Sequence, residues 1–115
     1  MSIIIYHNPR CSKSRQTLSL IREQGHTPKI IEYLKEPPSV SEILNILSLL
    51  ELEPRAILRT KEEPYKELNP SNSDLTVDQL VEAIANNPIL MERPIVINGN
   101  KAAIGRPPEK VLAIL

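Results

Sequence analysis

Short apolar runs separated by polar breaks set the rhythm of the first third of the chain. Ile3-Ile4-Ile5-Tyr6 is β-branched and apolar throughout, the pattern of a buried strand. His7-Asn8-Pro9-Arg10 interrupts it. Behind the break, Leu18, Ile21 and Arg22 recur at helical spacing as far as Gly25, a residue suited to closing a helix. Ile30-Ile31-Glu32-Tyr33 reads as a second strand. Strand, helix, strand in this order is a βαβ unit, whose two strands run parallel.

The middle of the chain changes period. Pro37-Pro38 stops the sheet, and Ser39-Val40-Ser41-Glu42 matches a capping box, with Glu42 placed to answer Ser39. The helix behind it carries Ile43, Ile46, Leu47 and Leu50 on one face. Residues 54–75 mix prolines and asparagines with charges, predicting an irregular stretch around a short helix at 54–58. Thr76-Val77-Asp78-Gln79 is a second capping box, opening a helix with Leu80, Val81 and Ile84 inward and closing near Asn86-Asn87-Pro88. Pro94-Ile95-Val96-Ile97, Asn98-Gly99 and Lys101–Ile104 form a predicted hairpin, with Asn-Gly at the centre of a type I′ turn. Gly105 follows, and Pro107-Pro108 pre-sets a last helix. The predicted fold class is α/β: a βαβ half and a ββα half with a helical insertion between them, in one domain over residues 1–115.

Composition narrows the function. The chain has 14 basic and 14 acidic side chains, so it lacks the basic footprint of a nucleic-acid or membrane-surface protein. No apolar run approaches the ~20 residues of a membrane span. The N-terminal apolar run has no basic region before it and no small-residue cleavage site, so it does not read as a signal peptide. One cysteine in 115 residues cannot form an internal disulfide, which fits a reducing, cytoplasmic setting.

That cysteine carries the strongest local signal. In His7-Asn8-Pro9-Arg10-Cys11-Ser12-Lys13-Ser14-Arg15, Cys11 lies between a strand and a helix, at or near a helix N-terminus. Free amides and the helix dipole there favour negative charge, on a thiolate or on a bound oxyanion. A thiolate gains from both, so its pKa is expected well below the free value of ~8.5. Arg10, Lys13 and Arg15 supply cations, His7 a cation or a hydrogen bond, and Ser12 and Ser14 hydroxyl donors. A buried structural cysteine sits among aliphatics. Cys11 has none within four residues on either side.

Arg59, Arg93 and Arg106 stand in turn contexts, beside Leu58, Pro94 and Gly105 respectively. Arginine's planar fork suits oxyanions, but taken singly each also fits a solvated surface charge. No metal site is expected, because His7 and His26 lack the partner spacing of a zinc site. No glycine-rich dinucleotide fingerprint is present.

The Cys11 loop, Leu58-Arg59, Glu92-Arg93-Pro94-Ile95-Val96 and Gly105-Arg106-Pro107 together resemble the glutaredoxin-coupled arsenate reductases, in motif order and spacing, from Ile3 to Leu115. Residues 63–68, Glu-Pro-Tyr-Lys-Glu-Leu, resemble the family's segment after its first arginine. The chain is most similar to the short arsenate reductase-like members. The resemblance implies a thioredoxin-like fold and Cys11 as the nucleophile that attacks arsenate. It implies that Arg59, Arg93 and Arg106 bind the oxyanion, with Arg15 beside them. His7 would match the histidine near the nucleophile, Ser14 the hydroxyl that activates the thiolate, and Pro94 the cis-proline facing the active-site loop. The implied partners are an oxyanion substrate, glutathione as co-substrate and glutaredoxin, with no tightly bound cofactor.

Rival patterns fit less well. A phosphatase loop needs arginine six residues after the cysteine, where this chain has Thr17. A Cys-x-x-Cys oxidoreductase needs a second cysteine at Ser14. Transcription regulators of the same fold, which bind RNA polymerase, share the Arg93-Pro94-Ile95 segment, but Ser14 removes their disulfide switch. With no second cysteine, a thiol cycle here needs a reductant from outside.

Overall fold

The computed structural model describes residues 3–59 and 75–115. They form two compact units: one joins residues 3–36 to 93–115, and the other comprises residues 37–59 and 75–92. The motif at residues 63–68 and most of the irregular stretch lie outside the described residues.

The first unit is built on a four-stranded sheet. Its strands are β1 (Ile3–His7), β2 (Lys29–Glu32), β3 (Ile95–Asn98) and β4 (Lys101–Ile104), in the order β2-β1-β3-β4. β1 pairs parallel with β2, and antiparallel with β3, which pairs antiparallel with β4. The parallel pair is the one the βαβ pattern requires. Between β1 and β2 runs α1 (Ser12–Glu23). Gly25 at φ +85 ends it, with Gly25 N–H on Arg22 O and His26 N–H on Ile21 O, the paired bonds of a Schellman motif. Ile5 lies opposite Val96 across the β1–β3 ladder. Both join Ile3, Leu18, Ile21 and Val111 in one buried cluster, so α1 and the C-terminal segment are held against the sheet by apolar burial.

Two expectations change in this unit. The hairpin turn is shifted by one residue: Asn98 pairs with Lys101, leaving Gly99 and Asn100 at the centre. Of these only Gly99 has positive φ, +63. That is the sign pattern of a type II′ turn and not of type I′. Asn98 stays in the strand because its side-chain amide donates to Ile114 O. The last helix is a 3-10 segment, Pro108–Ile114, in which Leu115 N–H reaches only three residues back, to Leu112 O.

The second unit is helical. α2 (Val40–Leu50) and α3 (Val77–Asn86) each begin with a complete capping box, on Ser39 with Glu42 and on Thr76 with Gln79. Ile43, Ile46 and Leu47 of α2 are buried, as are Leu80, Val81 and Ile84 of α3. The short helix expected at 54–58 is a 3-10 turn, Pro54–Ile57. Leu58 then bridges antiparallel to Met91.

Candidate active site

The loop from β1 to α1 is folded around Asn8. Its side-chain Oδ1 accepts Arg10 N–H at 3.0 Å, and its carbonyl accepts Cys11 N–H at 3.0 Å. This is the local turn that an Asn-Pro dipeptide favours. Arg15 Nη1 donates to Pro9 O at 2.9 Å and closes the loop from the other side. Cys11 therefore arrives as the N-cap residue of α1, in extended conformation.

Cys11 is half-buried and free. Its sulfur makes no full capping hydrogen bond, yet its electrostatic setting favours the thiolate. Burial pushes the thiol pKa up. The backbone N–H of Ser14, the guanidinium of Arg93 and the backbone N–H of Lys13 outweigh that and hold it below the ordinary value. Arg106 adds a fork: Nε donates to Arg93 O at 2.7 Å, and Nη2 points to Cys11 Sγ at 3.6 Å. Two guanidinium groups from the far end of the chain thus meet the sulfur beside the helix amides.

His7 and Ser14 form a second layer. Both are buried. Ser14 Oγ lies 2.6 Å from His7 Nδ1 and accepts Asn8 N–H at 3.0 Å. Burial is the main cause that lowers the His7 pKa. Glu32 opposes it, and Arg22 and Arg15 add to it. The Ser14 hydroxyl is accordingly engaged with His7 and the loop backbone, while its N–H faces the Cys11 sulfur.

The residues singled out from the sequence fall into distinct places. Cys11, Arg93 and Arg106 come together, with His7 and Ser14 behind them. Arg15 braces Pro9 O. Arg59 belongs to the helical unit, where its N–H donates to Leu90 O at 2.7 Å and Glu92 N–H answers on Ile57 O at 2.8 Å. The Arg93–Pro94 peptide bond is cis, and so is Arg106–Pro107. Asn8, whose three backbone and side-chain bonds shape the loop, entered the sequence reading only as part of the break after the first strand. No group of three or more His, Cys, Asp or Glu side chains among the described residues is arranged to hold a metal. No helix among them is long and apolar enough to cross a membrane.

A single thiol at a helix N-cap, flanked by arginines before and after a β-hairpin on a thioredoxin-like sheet, defines a class of thiol proteins built to meet an anion. The chain belongs to the ArsC family, whose sequence pattern matches residues 6–114. It is similar to an arsenate reductase of Haemophilus influenzae, at 53% identity over all of both chains. It is also similar to an arsenate reductase of Neisseria meningitidis serogroup A, at 48% identity over 98% of this chain and 97% of the relative. Its fold matches the solved arsenate reductase of Vibrio cholerae with a TM-score of 0.97 and 53% identity, covering 100% of this chain and 98% of that one.

Proposed function

We propose that the protein is an arsenate reductase that uses the Cys11 thiolate as nucleophile and glutathione with glutaredoxin as its electron source. The observation that carries this reading is the Arg106 fork, with Nη2 3.6 Å from Cys11 Sγ and Nε tied to Arg93 O. Arsenate is anionic near neutral pH, so attack by a thiolate brings like charges together. Guanidinium groups and helix-end amides offset that repulsion and stabilise the charge that grows in the transition state. The resemblance assigns Arg59 to oxyanion binding as well. Arg15 braces the loop that holds the oxyanion, and His7 and Ser14 set the loop's shape behind the sulfur.

The electron count defines the partner. Arsenate takes two electrons to become arsenite. Two thiols supply them and leave joined as one disulfide, while one arsenate oxygen departs as water. Cys11 is the first thiol. The chain has no second cysteine, so the other comes from outside. Glutathione fills that role, leaving Cys11 in a mixed disulfide that glutaredoxin resolves by thiol–disulfide exchange. Such a cycle suits the reducing cytoplasm. The test is arsenate-dependent NADPH oxidation coupled through glutathione, glutaredoxin and glutathione reductase. Turnover that needs every component is the expected result, and none with arsenate present overturns the reading.

A further inference from the structure

Gly105 stands where three segments of the sheet unit cross, and nothing in the function above uses it. It is buried, between the end of β4 and Arg106. Its N–H donates to Pro94 O at 2.9 Å. It has no positive φ to explain a glycine; what it lacks is room. A Cβ at this position would lie 2.8 Å from Pro94 Cγ and 3.0 Å from Thr17 Cγ2, with Thr17 Oγ1 closer still. Thr17 is fully buried on α1. Its hydroxyl is held by donation to Lys13 O at 2.8 Å, so it cannot swing away without losing that bond.

The crossing joins the two halves of the thiolate site. On one side is α1, which presents Cys11 at its N-cap and the amides of Lys13 and Ser14. On the other are Arg93, next to Pro94, and Arg106, next to Gly105. We infer that Gly105 and Thr17 are a positioning pair, whose close contact sets how near Arg93 and Arg106 come to the Cys11 sulfur. A side chain at Gly105 would lift the arginine-bearing segments off α1 and draw both guanidinium groups away from the sulfur together. Drawing both guanidinium groups back weakens their attraction for the thiolate, so the thiol midpoint rises.

The inference rests on Cys11 being the reactive group, and its test needs no arsenate. Cys11 is the one cysteine, so iodoacetamide alkylation followed against pH reports it alone. Gly105→Ala should move the alkylation midpoint upward, and adding Thr17→Ala should bring it at least halfway back. A contact that is structural only would lower the melting temperature and leave the midpoint in place. If Gly105→Ala does not fold, the double variant decides: folding with a near-wild-type midpoint supports the pairing. A folded Gly105→Ala with an unmoved midpoint overturns it. So does a double variant that remains unfolded or shows no recovery. Loss of arsenate turnover in the wild-type protein with these midpoint shifts intact would count against the proposed function and leave this inference standing.

Discussion

The Ser14 hydroxyl lies 2.6 Å from Nδ1 of His7, and both groups are buried. Ser14 Oγ also accepts the Asn8 N–H at 3.0 Å, which leaves its own proton free to point at the imidazole. In the neutral tautomer that carries its proton on Nε2, Nδ1 accepts that serine proton. A protonated His7 would turn this bond around and leave the serine proton without its acceptor. Burial, the largest influence on His7, acts in the same direction and lowers its pKa from 6.5.

The first prediction follows from that lowered value. The folded state holds His7 neutral more strongly than the unfolded chain does, so the unfolded chain binds the extra proton first as pH falls. The His7 contribution to stability is complete above 6.5. It is lost as pH falls through that value toward the lower folded pKa, and it is flat below the latter. Urea unfolding at a series of pH values should show the wild-type protein losing stability on acidification faster than His7→Gln in this window. Parallel curves for the two would refute it.

Ser14→Ala removes one partner from each of two hydrogen bonds and leaves the His7 ring and the Asn8 N–H without it. Unmade bonds at a buried position cost more than the net value of the bonds themselves. The variant should lose about 1–3 kcal/mol of unfolding free energy. It should still present the Ser14 backbone N–H to the sulfur. Denaturant unfolding measures the loss, and an unchanged midpoint would show that the hydroxyl is dispensable to the loop.

The elements were largely legible because local chemistry decided them. The capping boxes at Ser39 and Thr76 and the closing Gly25 each fix a helix end through bonds between residues a few positions apart. Cys11 at the head of α1 followed from the same short-range logic. The cations did not. Arg10, Lys13 and Arg15 are nearest in sequence, yet the side-chain cations that bear on the sulfur are those of Arg93 and Arg106. Their arrival depends on β3 pairing with β1, a long-range event that no local pattern encodes. The type II′ turn was missed for a similar reason: Asn98 is held in its strand by Ile114, sixteen residues on. Gly105 read as a plain connector, because the neighbours that exclude a side chain there come from α1 and from Pro94.

Arg106 meets two acceptors through one planar group, Arg93 O by Nε and Cys11 Sγ by Nη2. A lysine carries the charge but cannot span both, so Arg106→Lys should keep the fold and lose roughly 10²-fold in kcat, the cost of removing one preorganised donor from an oxyanion site. Arg93→Lys should behave alike and also raise the Cys11 alkylation midpoint, since the Arg93 guanidinium favours the thiolate. Steady-state kinetics with the coupled assay checks the first, and alkylation against pH the second. Near-wild-type kcat in Arg106→Lys would mean the fork is not used.

The last prediction concerns how the cycle closes. After Cys11 has given its share of the two electrons, its sulfur must be regenerated by another thiolate, and 115 residues offer no other cysteine. Exchange proceeds through a mixed disulfide, so the identity of the external thiol is recorded on Cys11 itself. With arsenate and glutathione present and glutaredoxin withheld, the enzyme should stop after one turnover as the Cys11–glutathione disulfide. Mass spectrometry should find that adduct, and it should be absent from Cys11→Ser. Adding glutaredoxin should discharge it and restore turnover, whereas thioredoxin without glutathione should sustain little. Robust turnover with thioredoxin alone would show that a protein thiol reaches the sulfur directly. The cycle would then run without the small peptide thiol that the lone cysteine otherwise requires.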